Sequence, residues 1–228
     1  MKSGVDSDRN TETRQRLLEA AGEVFAEHGF QKATVRAICH RAHANVAAVN
    51  YHFHDKRGLY KAVLKYALRC VRNKDSREHR PITSANAGPE LREMIAARLH
   101  AVFDPGRAAW HGKLMSREII EPTEALDALV KEELAPLFQR LQACVRVILG
   151  PGVNDKQVRR CAFSISSQWV YYYYHRQVIA RLDPTTKFGP EDIDALAEHI
   201  VQFSLAALKE LRRTTNRNQT SSRHETRF

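Results

Sequence analysis

The stretch "TVRAICHRAHANVAAVNYHF", residues 34–53, constrains the fold more than any other part of the chain. It holds two short apolar-periodic runs separated only by "AHAN". Helices this short are unstable alone, because nucleation is costly and few hydrogen bonds repay it. They must pack on a longer support. Each run is preceded by a residue whose side chain can accept from an orphan helix N–H, Thr34 for the first and Asn45 for the second. The inward positions are Val35, Ile38 and Cys39, then Val49 and Phe53, which share one helical face. A support lies just upstream: Leu17, Ala21, Val24, Phe25 and His28 follow helical spacing, and Gly29 offers a left-handed stop. Downstream, Asp55 can cap a longer helix carrying Leu59, Tyr60, Val63, Leu64, Ala67, Leu68 and Val71.

The rest of the chain continues the pattern, with no strand periodicity and no internal repeat. "PITSANAGP", residues 81–89, reads as a linker. Leu91, Met94, Ile95, Leu99, Val102 and Phe103 form one further helical stripe, and "WHGKLMSREII" sits in the next. A helix from about Thr123 to Leu149 should kink or restart near Pro136, whose ring opposes the preceding turn. Two long helices are expected at roughly 156–181 and 191–213. The last carries Ile193, Leu196, Ala197, Ile200, Val201, Ser204, Leu205, Leu208 and Leu211. The fold is therefore expected to be all-α, with about nine helices. The polar ends, residues 1–10 and 214–228, have too little apolar content for a core and are expected to be disordered.

Charge is unevenly placed. The formal net charge is +10. Residues 1–80 hold sixteen Lys/Arg against nine Asp/Glu, and the remainder twenty against seventeen. A basic N-terminal third suits a polyanionic partner, because neutralising phosphates releases condensed counterions. No apolar run is long enough to span a bilayer, and the polar N-terminus lacks an apolar signal core, so a cytoplasmic protein is expected. Cys39, Cys70, Cys144 and Cys161 lie far apart within apolar-periodic segments and read as reduced and buried. His40, His43, His52 and His54 are close in sequence, but no carboxylate or cysteine completes a metal-binding face. No glycine-rich phosphate loop, paired carboxylates or cysteine–histidine pattern is present, so neither catalytic residues nor a cofactor are expected.

The two short helices have the lengths and break of a helix-turn-helix, in which the second helix enters the major groove. With Val49 and Phe53 inward, Asn45, Val46, Ala47, Ala48, Asn50, Tyr51 and His52 cover the outer and flanking faces. Asn50 can hydrogen-bond base edges, and small apolar side chains such as Val46, Ala47 and Ala48 can meet a thymine methyl. Tyr51, His52, Thr34 and Lys56 suit phosphate contacts, and Arg36 is placed with them. Tyr51 as a core aromatic stays open.

The order "AA..VFAE.GF..ATVRAI..RA...VAAVNYHF.DK..LY" resembles the DNA-binding domain of the TetR family of bacterial transcriptional repressors. The resemblance covers residues 11–71 and implies a helix-turn-helix near 34–53 and a homodimer that sets two recognition helices in successive major grooves of a near-palindromic operator. Three positions depart from the family pattern. His43 stands where the turn commonly has glycine, Val46 where many members have lysine, and Gly58 where an acidic residue often completes a capping box. The last suggests a loose start to the fourth helix.

Residues 89–213 resemble the family's ligand-binding and dimerisation domain. "MSREIIEPTEALDALVKEELAPLFQRL" and "QWVYYYYHRQVI" are similar to the CecR-like branch. The resemblance implies a cavity for a small organic effector and a dimer seam on the last two long helices. Phe103, Trp110, Met115, Glu118, Gln168, Tyr172 and His175 are the pocket candidates, an amphipathic mixture. The four successive tyrosines serve either packing or a cavity. Ile193, Leu196, Ile200, Val201, Leu205 and Leu208 are the expected dimer seam. The function expected is a sequence-specific DNA-binding repressor released by its effector. A regulator without a small-molecule effector, constitutive or controlled by a protein partner, is the alternative.

Overall fold

Helical periodicity with few breakers produces helices and no strand among the described residues. The computed structural model describes the backbone of residues 3–69 and 80–225 and the side chains of 10–69, 80–215 and 217. The helices are α1 (Ser3–Lys32), α2 (Val35–Arg41), α3 (Val46–Phe53), α4 (Lys56–Arg69), α5 (Ala87–Phe103), α6 (Ala109–Ile120), α7 (Ala125–Leu129), α8 (Ala135–Leu149), α9 (Asp155–Tyr174), α10 (Arg176–Leu182) and α11 (Pro190–Glu225). A π-turn, Val130–Leu134, joins α7 to α8.

Two compact units divide the chain: Met1–Val71 with Gly106–Ala135, and Arg72–Pro105 with Pro136–Phe228. The division differs from the expected boundary between 71 and 89, because α6 and α7 belong to the first unit. Their apolar faces are the reason. Trp110, Leu114, Met115, Ala125 and Leu129 share a core with Leu17, Phe25, Ile38, Val49, Leu59 and Leu64. Gly22 admits the Trp110 ring: a Cβ there would lie 2.4 Å from it. The second unit buries Leu91, Ile95, Leu99, Leu141, Val145, Val158, Ile165, Ile193, Ile200 and Leu208 in a separate core contributed by α5, α8, α9 and α11.

Several local expectations change. Gly29 takes φ 74 and ψ 169, a region open essentially to glycine, and one more turn follows to Lys32. His28 is exposed rather than inward. Pro136 does not break the helix. Ala135 N–H instead bonds the carbonyl of Val130, five residues back, so a widened turn sits just before the proline. The expected helix over 156–181 is two, separated at His175 (φ −101, ψ 12).

Both polar ends are helical where described. α1 starts at Ser3 and α11 continues to Glu225. No glycine or proline follows Pro190, and helix propagation needs one hydrogen bond per added residue rather than a core. Cys39 and Cys144 are buried, Cys161 is half-buried, and all three are free thiols; Cys70 lies outside the described residues.

Candidate nucleic-acid interface

Caps define the two short helices. Thr34 Oγ1 accepts from Ala37 N–H at 3.1 Å, and Asn45 Oδ1 accepts from Ala48 N–H at 2.8 Å. Between them the chain reverses at His43, which holds φ 48. His43 N–H bonds the His40 carbonyl at 3.3 Å and Ala44 N–H bonds the Cys39 carbonyl at 3.0 Å. This is the paired closure that usually recruits glycine at the left-handed position. Histidine carries the strain of a Cβ there.

Asp55 Oδ1 accepts from Gly58 N–H at 2.7 Å, so the first turn of α4 is capped and not loose. Glycine at 58 has a steric reason: a Cβ would sit 2.0 Å from the Phe53 carbonyl oxygen.

On α3, Val49 and Phe53 are buried, and Arg14 from α1 lies over the Phe53 ring at 5.4 Å. Asn45, Val46, Ala47, Asn50 and Tyr51 are exposed, as are Thr34 and Arg36 on the preceding segment. Tyr51 is 71% exposed, which excludes a core role in this chain. Three expected contact residues differ. Ala48 and His52 are half-buried. Burial, then the charge of Arg14, holds the His52 imidazole below its ordinary range, so it is neutral at neutral pH. Lys56 is also half-buried: its ammonium donates to the Gln31 carbonyl at 3.2 Å and stands over the Phe30 ring at 4.6 Å. Burial lowers its pKa. Lys56 thus ties α4 to the end of α1. Arg14 is the neighbour that sequence reasoning missed, since only tertiary packing brings α1 to the end of α3.

The comparisons with known proteins match this geometry. Residues 17–63 match the model described as bacterial regulatory proteins, tetR family. Residues 87–208 match the C-terminal domain of the HTH-type transcriptional dual regulator CecR, over half of the chain. The chain belongs to the TetR family, with a C-terminal domain of the CecR type. The HTH-type transcriptional repressor AcnR of Corynebacterium glutamicum is 29% identical over 152 residues, 67% of this chain and 72% of that protein. The HTH-type transcriptional regulator UidR of Escherichia coli (strain K12) is 29% identical over 113 residues, 50% of this chain; the match spans about half of UidR, 55%. The crystal structure of HlyIIR, a hemolysin II transcriptional regulator, shares the fold with a TM-score of 0.59 at 20% identity, covering 85% of this chain and 97% of that one.

In this TetR-type chain, α4 is bound along its length to α6, α7 and the π-turn. Tyr60 donates to Glu118 Oε2 at 2.7 Å, Arg57 pairs with Glu124 at 3.1 Å, Lys65 pairs with Glu132, and Arg69 pairs with Glu133 at 2.8 Å. Burial, then the bond to Glu118, raises the Tyr60 hydroxyl above its ordinary pKa.

The seven pocket candidates divide between the two units. Trp110, Met115 and Glu118 lie in the first unit, and Phe103, Gln168, Tyr172 and His175 in the second. Glu118 is wholly buried, and its other oxygen accepts from both the N–H and the hydroxyl of Thr123 at 2.9 Å. Trp110 donates to Glu19 at 3.3 Å. Phe103 stacks on Phe188, and Gln168 donates to Ser204 at 3.2 Å. Tyr172 packs half-buried on the second core, while His175 is exposed and stacks on Tyr171. A cleft of about 270 Å³ in the first unit is lined instead by residues such as Phe30, Arg57, Tyr60, Lys61 and Thr123.

The stripe expected as the dimer seam packs largely within its own unit. Ile193, Ile200, Val201 and Leu208 are buried within their own unit, and Leu196 and Leu205 pack half-buried against that core. α5 and α9 already cover the stripe. The large exposed apolar residues of α9 and α11, among the described residues, are Phe163, Val170, Tyr171, Phe203 and Leu211. Among the described residues no helix is long and apolar enough to cross a membrane, and no three His, Cys, Asp or Glu side chains are grouped to hold a metal ion.

Proposed function

We propose that this chain is a cytoplasmic transcriptional repressor that binds a near-palindromic double-stranded operator as a homodimer and is released by a small organic effector. The observation that carries the reading is the outer face of α3, where Val46, Ala47, Asn50 and Tyr51 stand exposed over an anchor of Val49 and Phe53. A helix held so firmly from behind presents its front as a rigid reading surface. The basic surplus of the first 80 residues supplies the phosphate attraction. Phe163 and Val170 of α9 and Phe203 of α11, which is 61% exposed, are the seam proposed in place of the buried stripe. The effector acts by population shift, favouring an arrangement with the wrong spacing between recognition helices. Within the first unit, the four polar ties of α4 support that helix as the element that moves the helix-turn-helix.

Selection of DNA fragments by the purified chain, then titration of the selected operator, tests this reading. A dimer by light scattering, retention of paired half-sites about 34–36 Å apart, and loss of affinity in Tyr51→Ala are expected. A monomer that ignores every duplex at low ionic strength would end it. The effector-free regulator remains the second reading, favoured by the satisfied hydrogen bonds of Glu118 and the packing of Trp110 and Met115. Release of the bound operator by one member of an organic effector panel decides for the first.

A further inference from the structure

We infer that the base-reading surface of α3, which carries no arginine or lysine, reads thymine methyls through Val46 and Ala47 and adenine through Asn50, so that each half-site carries A·T rather than G·C pairs beneath them. This rests on α3 being the helix that enters the major groove. Guanine is read chiefly by arginine or lysine donating to its O6 and N7. α3, "VAAVNYHF", has neither. Its one basic side chain, His52, is half-buried, neutral and in the last turn, whereas base edges meet the first turns of a recognition helix.

The neighbouring cations are committed elsewhere. Lys56 is held by Gln31 and Phe30. Arg41, at the end of α2, pairs with Glu27 at 3.1 Å and Glu23 at 3.5 Å. Arg14 stands at the C-terminal end of α3, over Phe53. Arg36 is exposed but belongs to α2, the helix that crosses the backbone in this docking mode.

What remains on the outer face is Val46, Ala47, Asn50 and Tyr51, spaced so that all four share one side of the helix. Val46 is 45% exposed, an isopropyl group left open to an incoming ligand among the described residues. Thymine offers a methyl group in the major groove, and adenine offers the N6 donor and N7 acceptor that an asparagine amide matches in pairs. Short side chains bring the helix close enough for both contacts.

The test uses the full chain and its own selected operator. Half-site thymines are replaced by deoxyuridine, which removes only the 5-methyl group and leaves base pairing intact. Each contacted methyl lost is expected to weaken binding about fourfold, the equivalent of about 0.8 kcal/mol for one buried methylene-sized group. Val46→Ala should bind the thymine operator more weakly and lose that discrimination. Tyr51→Ala should weaken both versions equally. Asn50→Ala should cut the preference for adenine over guanine about tenfold. An operator with G·C pairs at these positions, or one bound equally with uracil, overturns the inference while leaving DNA binding intact. Failure to select any duplex overturns the function proposed above and this inference with it.

Discussion

α3 and α11 are both amphipathic and divide their faces in opposite ways. α3, with eight residues, buries only Val49 and Phe53 and exposes most of the rest. α11 turns Ile193, Ala197, Ile200, Val201, Ser204 and Leu208 into its own unit's core and leaves Phe203 outside. The short helix cannot hold itself, so it is positioned from outside: by the Asn45 cap, by the two-residue anchor, and by α1, α2 and α4 as support. Its outer face has no structural duty. The long helix has propensity to spare, and its apolar stripe is the wall of a core. Apolar periodicity therefore means different things in the two places. On α11 it marks folding, and the exposed aromatic Phe203 lies off the stripe.

The largest effects expected would break this contrast at its anchors. Phe53→Ala should destabilise the protein by about 3–5 kcal/mol and Ile200→Ala by about 2–5 kcal/mol in denaturant unfolding. Tyr51→Ala, on the outer face of α3, should stay within about 0.5 kcal/mol. Equal costs for inner and outer positions would erase the distinction.

Glu118→Ala should cost about 1–3 kcal/mol in the same assay, because the buried hydroxyl of Tyr60 and the N–H of Thr123 lose their acceptor. If it costs nothing, the polar tie between α4 and α6 contributes nothing to the first unit.

His111 should make that unit acid-sensitive. It is buried, its Nε2 has no hydrogen-bond partner among the described residues, and burial, then the charge of Arg107, hold its imidazole down to about 4, with Glu19 opposing. The folded value lies below the ordinary 6.5, so the unfolded chain takes up a proton that the folded one refuses. Stability is full above about pH 6.5 and falls toward pH 4, at up to about 1.4 kcal/mol per pH unit. His111→Phe should remove that part of the slope in urea midpoints measured across this window. A variant with the unchanged slope would place the acid sensitivity elsewhere.

The smallest effect is at the turn. His43→Gly should stabilise by about 0.5–1 kcal/mol by relieving the left-handed histidine, with DNA affinity showing whether the imidazole has a second use.

Much of the helix-turn-helix was legible because its determinants are local. Thr34, Asn45 and Asp55 cap as their positions dictate, and His43 takes the conformation that the turn length requires. Pro136 announced a disturbance, although not that a π-turn would absorb it. The division of the pocket candidates between the two units was not legible. Trp110 and Tyr172 have the same amphipathic character, and nothing in their spacing says that one belongs with the first core and the other with the second. Lys56 likewise reads as a free cation until the end of α1 is seen beside it.

The order of residues alone determined an all-helical chain, two short capped helices on a support, and an α3 without arginine or lysine. Those properties depend on contacts within a few residues, where backbone geometry fixes who meets whom. Only the tertiary structure decided that α6 and α7 join the first unit, that the α11 stripe faces inward, and that His52 and Lys56 are withdrawn from the reading face. Burial is a property of what arrives from elsewhere in the chain, and a helix with one apolar side is compatible with many neighbours until one of them covers it.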